Sequence, residues 1–281
     1  MEYSEKKIAE TIRKHAIKVT TLYKNDEPAS GGRFRYKYCR YEYDRNGNRV
    51  REICYDAEGA RIDDNRYKYD ANGNRTETAS YCDGDTIENR IVYDYDDRGN
   101  LCREVSYDED GEIENSTIYE YSPEGKILSE KSLEADGTVE SSYKYTYDER
   151  GNLIEEADEE INLRRKFVYD PAGNVREETS YNDDGSVASS VSFEYDSSRN
   201  VVSEVSKDFD EEMEYKSVLK YDKDGNLVER KSIKEDGGLL LKTVFKYDPS
   251  GKLVEETLYD DFNEPIEKID YEYELYDGAV A

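Results

Sequence analysis

The stretch Tyr95–Tyr121, YDDRGNLCREVSYDEDGEIENSTIYEY, is copied along most of the chain. Tyr43, Tyr69, Tyr95, Tyr121 and Tyr147 lie 26 residues apart, as do Tyr169, Tyr195, Tyr221, Tyr247 and Tyr273, and the single step from Tyr147 to Tyr169 is 22. A fixed period of this size is the signature of a repeat array. Each copy holds two turns of one design. A Gly stands four residues after an aromatic residue and an apolar residue six after it, as in Tyr95–Gly99–Leu101 and Tyr107–Gly111–Ile113. That spacing predicts a three-residue hairpin loop, a type I turn closed by a left-handed residue in a G1 bulge. Pro123, Pro171 and Pro249 fall at the second turn position, where a fixed φ is favourable. Asn263, Arg199 and Glu211 replace the Gly in three copies. Asn tolerates the left-handed region, whereas the other two predict strain or a different loop.

Between turns the residues alternate, which reads as half-buried antiparallel strand. The pattern puts Leu101, Arg103, Val105 and Tyr107 on one face with Ile113, Asn115, Thr117, Tyr119 and Tyr121, and Cys102, Glu104 and Ser106 on the other. Two residues before each repeat tyrosine stands another ring in nine of ten copies, Leu219 being the exception. The inward face is therefore expected to carry an aromatic ladder. Its candidate binding residues are Tyr67, Tyr93, Tyr95, Tyr119, Tyr121 and Tyr145, continuing through Tyr147, Phe167, Phe193, Phe245 and Tyr271. Such rings serve either repeat-to-repeat packing or stacking on a ligand. Arg103, Glu177, Glu229, Lys231 and Glu255 are expected on the same side, which calls for a wet or open inner face.

The fold class expected is all-β: tandem 26-residue hairpins in a coiled antiparallel meander of about 20 strands. A shell, a spiral and an open single-layer sheet all remain compatible with it. A two-residue overhang per repeat predisposes the sheet to coil, and a closed cylinder of that many strands would be roughly 35–40 Å across. Residues 1–16 are expected to cap the array, with a helix over 4–15 placing Ile8, Ile12 and Ala16 on one side. Residues 17–273 form one array with an irregular seam near 153–169, and 274–281 form a tail. Ala29–Arg33 reads as an inserted loop.

The 281 residues carry a net charge of −28. Phosphate-backbone binding needs Lys and Arg to release counterions, so nucleic acid is excluded as a partner, and an anionic membrane surface with it. Cys39, Cys54, Cys82 and Cys102 show no CxxC pairing and read as free thiols, favouring a reducing compartment. MEYSEKKIAETIRKH lacks the apolar region of a Sec signal and no run is long enough to span a membrane. The chain is thus expected in the cytoplasm or exported by another route.

The motifs YDRNGNR, YDANGNR, YDDRGNL, YDERGNL, YDPAGNV, YDKDGNL and YDPSGKL resemble the YD repeat of the bacterial Rhs family, over roughly residues 17–273. A second, weaker likeness is to MORN-like repeat antitoxins. The first resemblance implies strand–turn units in a spiralling β shell associated with encapsulation, adhesion and carbohydrate binding. Turn sequences such as DEDG and DKDG share residues with calcium loops, but Asp and Gly are also preferred turn residues. The single His, His15, lacks the partners of a triad. No phosphate-binding loop and no cofactor or metal site is expected. The expectation is a non-catalytic scaffold that binds or encloses a partner protein on a Tyr-lined face, or alternatively a carbohydrate- or cell-wall-binding module. Specific recognition is expected where the pattern breaks, at Ala29–Arg33, 155–161 and Arg199.

Overall fold

The computed structural model describes residues 2–26, 34–82, 84–158, 160–161 and 163–277, with the side chains of all but 2–7 and 26. Ala29–Arg33 lies outside them. Helix α1 (Glu2–Lys14) is followed by β1 (Ile17–Asp26), β2 (Phe34–Tyr43), β3 (Arg49–Tyr55), β4 (Arg61–Tyr69), β5 (Arg75–Tyr81), β6 (Ile87–Tyr95) and β7 (Leu101–Tyr107). Then come β8 (Ile113–Tyr121), β9 (Ile127–Glu134), β10 (Val139–Tyr147), β11 (Leu153–Asp158), β12 (Leu163–Tyr169), β13 (Val175–Tyr181) and β14 (Val187–Tyr195). The last are β15 (Val201–Asp208), β16 (Met213–Tyr221), β17 (Leu227–Ile233), β18 (Leu239–Tyr247), β19 (Leu253–Tyr259) and β20 (Pro265–Leu275). No described helix is long and apolar enough to cross a membrane.

The strands form one 20-stranded sheet. β1 pairs with β2 on one side and with β20 on the other, both antiparallel. The first strand is thus bonded to the last, and the sheet is a closed barrel by connectivity. This corrects the expectation that left a spiral, a meander or an open sheet available. The physical reason is edge pairing: β1 satisfies backbone groups that would otherwise stand open on both β2 and β20. Lys24 reinforces the junction with an ion pair to Glu267 at 2.7 Å, and Asn25 Nδ2 donates to Asp270 Oδ2 at 3.0 Å.

The turns obey the design expected. In the turn after β6, Gly99 N donates to Asp96 O at 2.9 Å and Asp96 N to Asn100 O at 2.8 Å, with Gly99 at φ 86°. A second irregularity follows most turns, though not those between β11 and β12 or between β15 and β16. Tyr95 stands opposite Leu101, but Asp94 stands opposite Arg103, so Cys102 is an extra, bulged residue. The face assignment made from alternation alone is therefore wrong for β7. Glu104, not Arg103 or Val105, shares a face with Tyr93. A one-residue slip exchanges every side chain between faces.

Two compact units divide the chain: residues 1–114 with 246–257 and 266–281, and residues 115–245 with 258–265. The first contains the apolar core. Ile12 on α1 packs with Ile17 and Tyr43, joined by Tyr41, Tyr273 and Leu275. Val19, Leu22, Ile53, Ala79 and Val105 are also buried there. Helix α1 sits directly on the turn after β2, where a Cβ on Gly47 would meet the Ala9 carbonyl oxygen at 2.7 Å. In the second unit no described apolar side chain is fully buried. Its strands are held by ladder bonds and cross-strand pairs.

Cys39 and Cys54 are cross-strand partners on β2 and β3 and form a disulfide. This corrects the reading of four free thiols and removes its support for a reducing compartment. Cys82 and Cys102 are free.

Candidate functional site

The site is built from the turn upward. Asp70, directly after Tyr69, turns its carboxylate inward on its own loop: Oδ1 accepts from Asn72 N at 2.8 Å and Asn74 N at 2.9 Å, and Oδ2 from Asn74 Nδ2 at 2.9 Å. The same clamp joins Asp44 to Asn48, and in the second unit Asp148 to Asn152 and Asp222 to Asn226. These bonds hold the Asp70 and Asp222 carboxyls below the usual range. The acidic turns thus serve their own backbone, the reading in which Asp is chosen for turn chemistry. Among the described residues no three metal-ligating side chains converge.

The clamp presents the repeat tyrosine, whose hydroxyl donates to the first carbonyl of the strand pair before it. Tyr69 reaches Arg49 O and Tyr95 reaches Arg75 O, each at 2.8 Å. In the second unit Tyr147 reaches Ile127 O at 2.9 Å and Tyr195 reaches Val175 O at 2.7 Å. The seam keeps this rung: Tyr169 donates to Leu153 O at 2.7 Å although the unit is four residues short. The loss falls in the other turn, between β11 and β12.

The ring two residues earlier makes a second row, and here the bulges matter. Because the register slips by one, a glutamate comes to lie beside each ring. Tyr67 donates to Glu52 at 3.2 Å, Tyr145 to Glu130 at 2.9 Å and Tyr271 to Glu256 at 3.1 Å. Burial, then the Glu52 charge, pushes the Tyr67 phenol up to about 12, and burial with the Glu130 bond raises Tyr145. Phe167 stands opposite Glu178 and Phe193 opposite Glu204, rings with no hydroxyl to offer. Burial raises the Glu178 carboxyl, against the pull of Arg165. Tyr119 and Tyr121 stand opposite Glu130 and Ile127, and Phe245 lies on β18. None of these glutamates was expected on the ring face. The signal for them is the extra residue that follows the turn at the end of each ring-bearing strand, as at Cys102, which carries no distinctive residue type.

The charged residues expected beside the rings lie on the opposite face. Glu229 pairs with Lys220 at 2.9 Å and Lys231 at 3.2 Å, and Glu255 with Lys246 at 2.6 Å and Lys268 at 2.7 Å. On the same face of the first unit, the buried Asp64 receives Arg51, Arg61 and Arg66. That expectation is corrected for the same reason as Glu104.

In the first unit the ring rows border a cleft of about 670 Å³. Tyr67, Tyr93 and Tyr95 line it together with Tyr43, Tyr69, Arg49 and Arg75, and Ile8 and Ala9 of α1 form a wall. Tyr271 is outside this lining. Arg49 stands 4.5 Å over the Tyr41 ring and Arg75 5.0 Å over the Tyr67 ring, both cation–π contacts. The two arginines were missed as site residues, although they end YDRNGNR and YDANGNR where other copies end in an aliphatic residue. Burial and Lys14 lower the pKa of His15.

A family described as MORN repeat variant matches residues 240–261. No curated protein sequence matches the chain. Among solved structures, a porin-like protein from Bacteroides uniformis is 13% identical over 92% of this chain and 98% of its own, with a TM-score of 0.40. A TcdB2–TccC3 complex is 12% identical over 86% of this chain, with a TM-score of 0.30. The chain spans about a fifth of that complex's matched chain, 19%. A DUF1329 family protein from Desulfovibrio piger is 8% identical over 99% of this chain and 94% of its own, with a TM-score of 0.25.

Proposed function

We propose that the chain is a non-catalytic repeat scaffold of the YD type that holds a partner polypeptide on its tyrosine face. The observation that supports this most is the cleft of the first unit. Its lining is dominated by Tyr with two Arg, the residue types that carry most binding energy at protein interfaces. The hydroxyls of Tyr67, Tyr69 and Tyr95 are committed to a carboxylate and two carbonyls, and that of Tyr93 is bonded to Thr78, so the rings offer faces rather than protons. A phenol held at about 12, as at Tyr67, stays protonated at neutral pH and is a poor acid–base catalyst. Charged side chains stand on both faces of the sheet, glutamates among the rings and ion pairs opposite. That argues against strands crossing a bilayer, where a lipid-facing charge is destabilising.

The test is a photo-crosslinking residue, p-benzoylphenylalanine, placed at Tyr93 or at Lys68 in the cell of origin. Lys68 is exposed on the opposite face and ion-paired to Glu77. Crosslinks to a polypeptide from position 93 and none from 68 are expected. Equal crosslinking from both positions, or from neither, sinks the reading. A sugar bound on a glycan array, and lost in Tyr93→Ala, replaces it with a carbohydrate-binding module.

A further inference from the structure

We infer that α1 is a lid on the first-unit cleft: docked, it narrows the space beside the tyrosine rings, and a partner polypeptide gains full entry as it lifts. This rests on the scaffold reading above and adds a gate to it. The helix is held unevenly. Of its described side chains, residues 8–14, Ile12 alone is buried, against Ile17 and Tyr43. Ile8 stands one turn earlier on the same stripe, where an anchored helix would cover it too. It is instead 48% exposed on the wall of the cleft.

The contact with the sheet beneath is made against a residue without a side chain. A Cβ on Gly47 would meet the Ala9 carbonyl oxygen at 2.7 Å and Arg13 Cγ at 2.6 Å. A helix of 13 residues has little stability of its own, so the Ile12 and Gly47 contacts weigh heavily in whether it stays docked. Elements held in this way open at far lower cost than a strand ladder.

The joint between helix and sheet is strained. The chain turns from α1 into β1 at Ala16, whose φ is 48°. A left-handed residue closing a helix is usually Gly, and Ala there carries the penalty of its Cβ. Neighbouring bonds hold it: Ala16 N donates to Arg13 O at 3.1 Å, and Tyr276 N donates to Ala16 O at 2.9 Å. The docked direction of α1 is thus maintained against backbone strain at its hinge, as in elements that switch between two positions.

Two substitutions bias the lid in opposite directions. Gly47→Asn places a side chain against Ala9 and Arg13 and keeps the turn. Asn263 already holds that turn position at φ 64°, its N donating to Asp260 O at 3.1 Å as Gly47 N does to Asp44 O. Ala16→Gly relieves the hinge in the docked direction. Gly225→Asn reports the cost of Asn in the turn itself, since nothing lies within 4 Å of a Cβ there.

In the full chain, hydrogen exchange of the α1 amides is followed by mass spectrometry. Exchange about tenfold faster in Gly47→Asn and about fivefold slower in Ala16→Gly is expected, with no change in Gly225→Asn. Photo-crosslinking to a polypeptide from position 93 is expected to follow the same order. Exchange at the wild-type rate in either lid variant shows a fixed wall and overturns the inference. Exchange that moves while crosslinking does not makes α1 a cap. Crosslinking that falls as α1 lifts makes it part of the docking surface. Both results overturn the lid and leave the scaffold reading standing, whereas no polypeptide crosslink from position 93 in any variant removes both.

Discussion

Arg199 occupies a left-handed backbone at φ 66° in a turn otherwise identical to the glycine turns. Its N donates to Asp196 O at 3.1 Å and Asp196 N donates to Asn200 O at 2.9 Å. The Asp196–Asn200 clamp imposes the loop on a residue that disfavours it, so the strain expected there is real and the loop is unchanged. At Glu211 the other outcome occurs: the loop lengthens, and the positive φ moves to Glu212 at 53°. Asp64 shows how a single buried charge depends on its surroundings. Burial pushes its carboxyl up, but bonds from Arg51 and Arg66 prevail and hold it at about 2, below its ordinary 3.8. A lowered acid pKa stabilises the fold above the unfolded value, and that contribution is lost as pH falls through the folded one. The shift corresponds to about 2 kcal/mol, present at neutral pH and lost between roughly pH 4 and pH 2. Asp64→Asn is expected to destabilise by about 3 kcal/mol at pH 7, since three guanidiniums then crowd without a counter-charge. Urea melts of wild type and variant at pH 7 and pH 2 check this: the gap should shrink in acid, and a pH-independent gap would refute the electrostatic account.

The hairpin is the element in which most local rules agree. Glycine, proline and the Asp–Asn pair each specify one atom-level task in the turn, and so the turns and strand limits are legible residue by residue. The faces are not. The bulge at Cys102 uses an ordinary strand residue, leaving no mark in the sequence, yet it moves Glu104 beside Tyr93 and Arg103 away from it. The tyrosine rung is the bond between one hairpin and the next. Tyr195→Phe removes only the hydroxyl that reaches Val175 O at 2.7 Å. A loss of about 1 kcal/mol is expected from that single bond, read as an earlier midpoint in chemical denaturation with an unchanged slope. An unchanged midpoint would mean that water replaces the rung at no cost.

At the scale of the whole chain, β1 occupies the position that closes the ladder, bonded to β2 and β20 together. Deleting residues 1–33 removes it along with α1 and leaves two unpaired strand edges. Exposed edges recruit other chains, so the truncated protein is expected to self-associate, measured by sedimentation velocity against the intact chain. A well-folded monomer would show that closure is dispensable. The Tyr43–Ile12–Ile17 cluster beneath α1 would be exposed by the same deletion, adding an apolar surface to the open edges.

By itself the amino-acid order determined the repeat, the twenty strands, the turn type and the chain's acidic character, because each follows from constraints acting within about a dozen residues. Only the tertiary structure decided that β1 meets β20, that Cys39 meets Cys54, and that Glu52 lies under Tyr67 rather than behind it. It alone placed Arg49 and Arg75 at one cleft beside α1. The physical reason is separation and register: Asn25 and Asp270 bond across 245 residues of sequence, and a single bulged residue decides which face every later side chain takes.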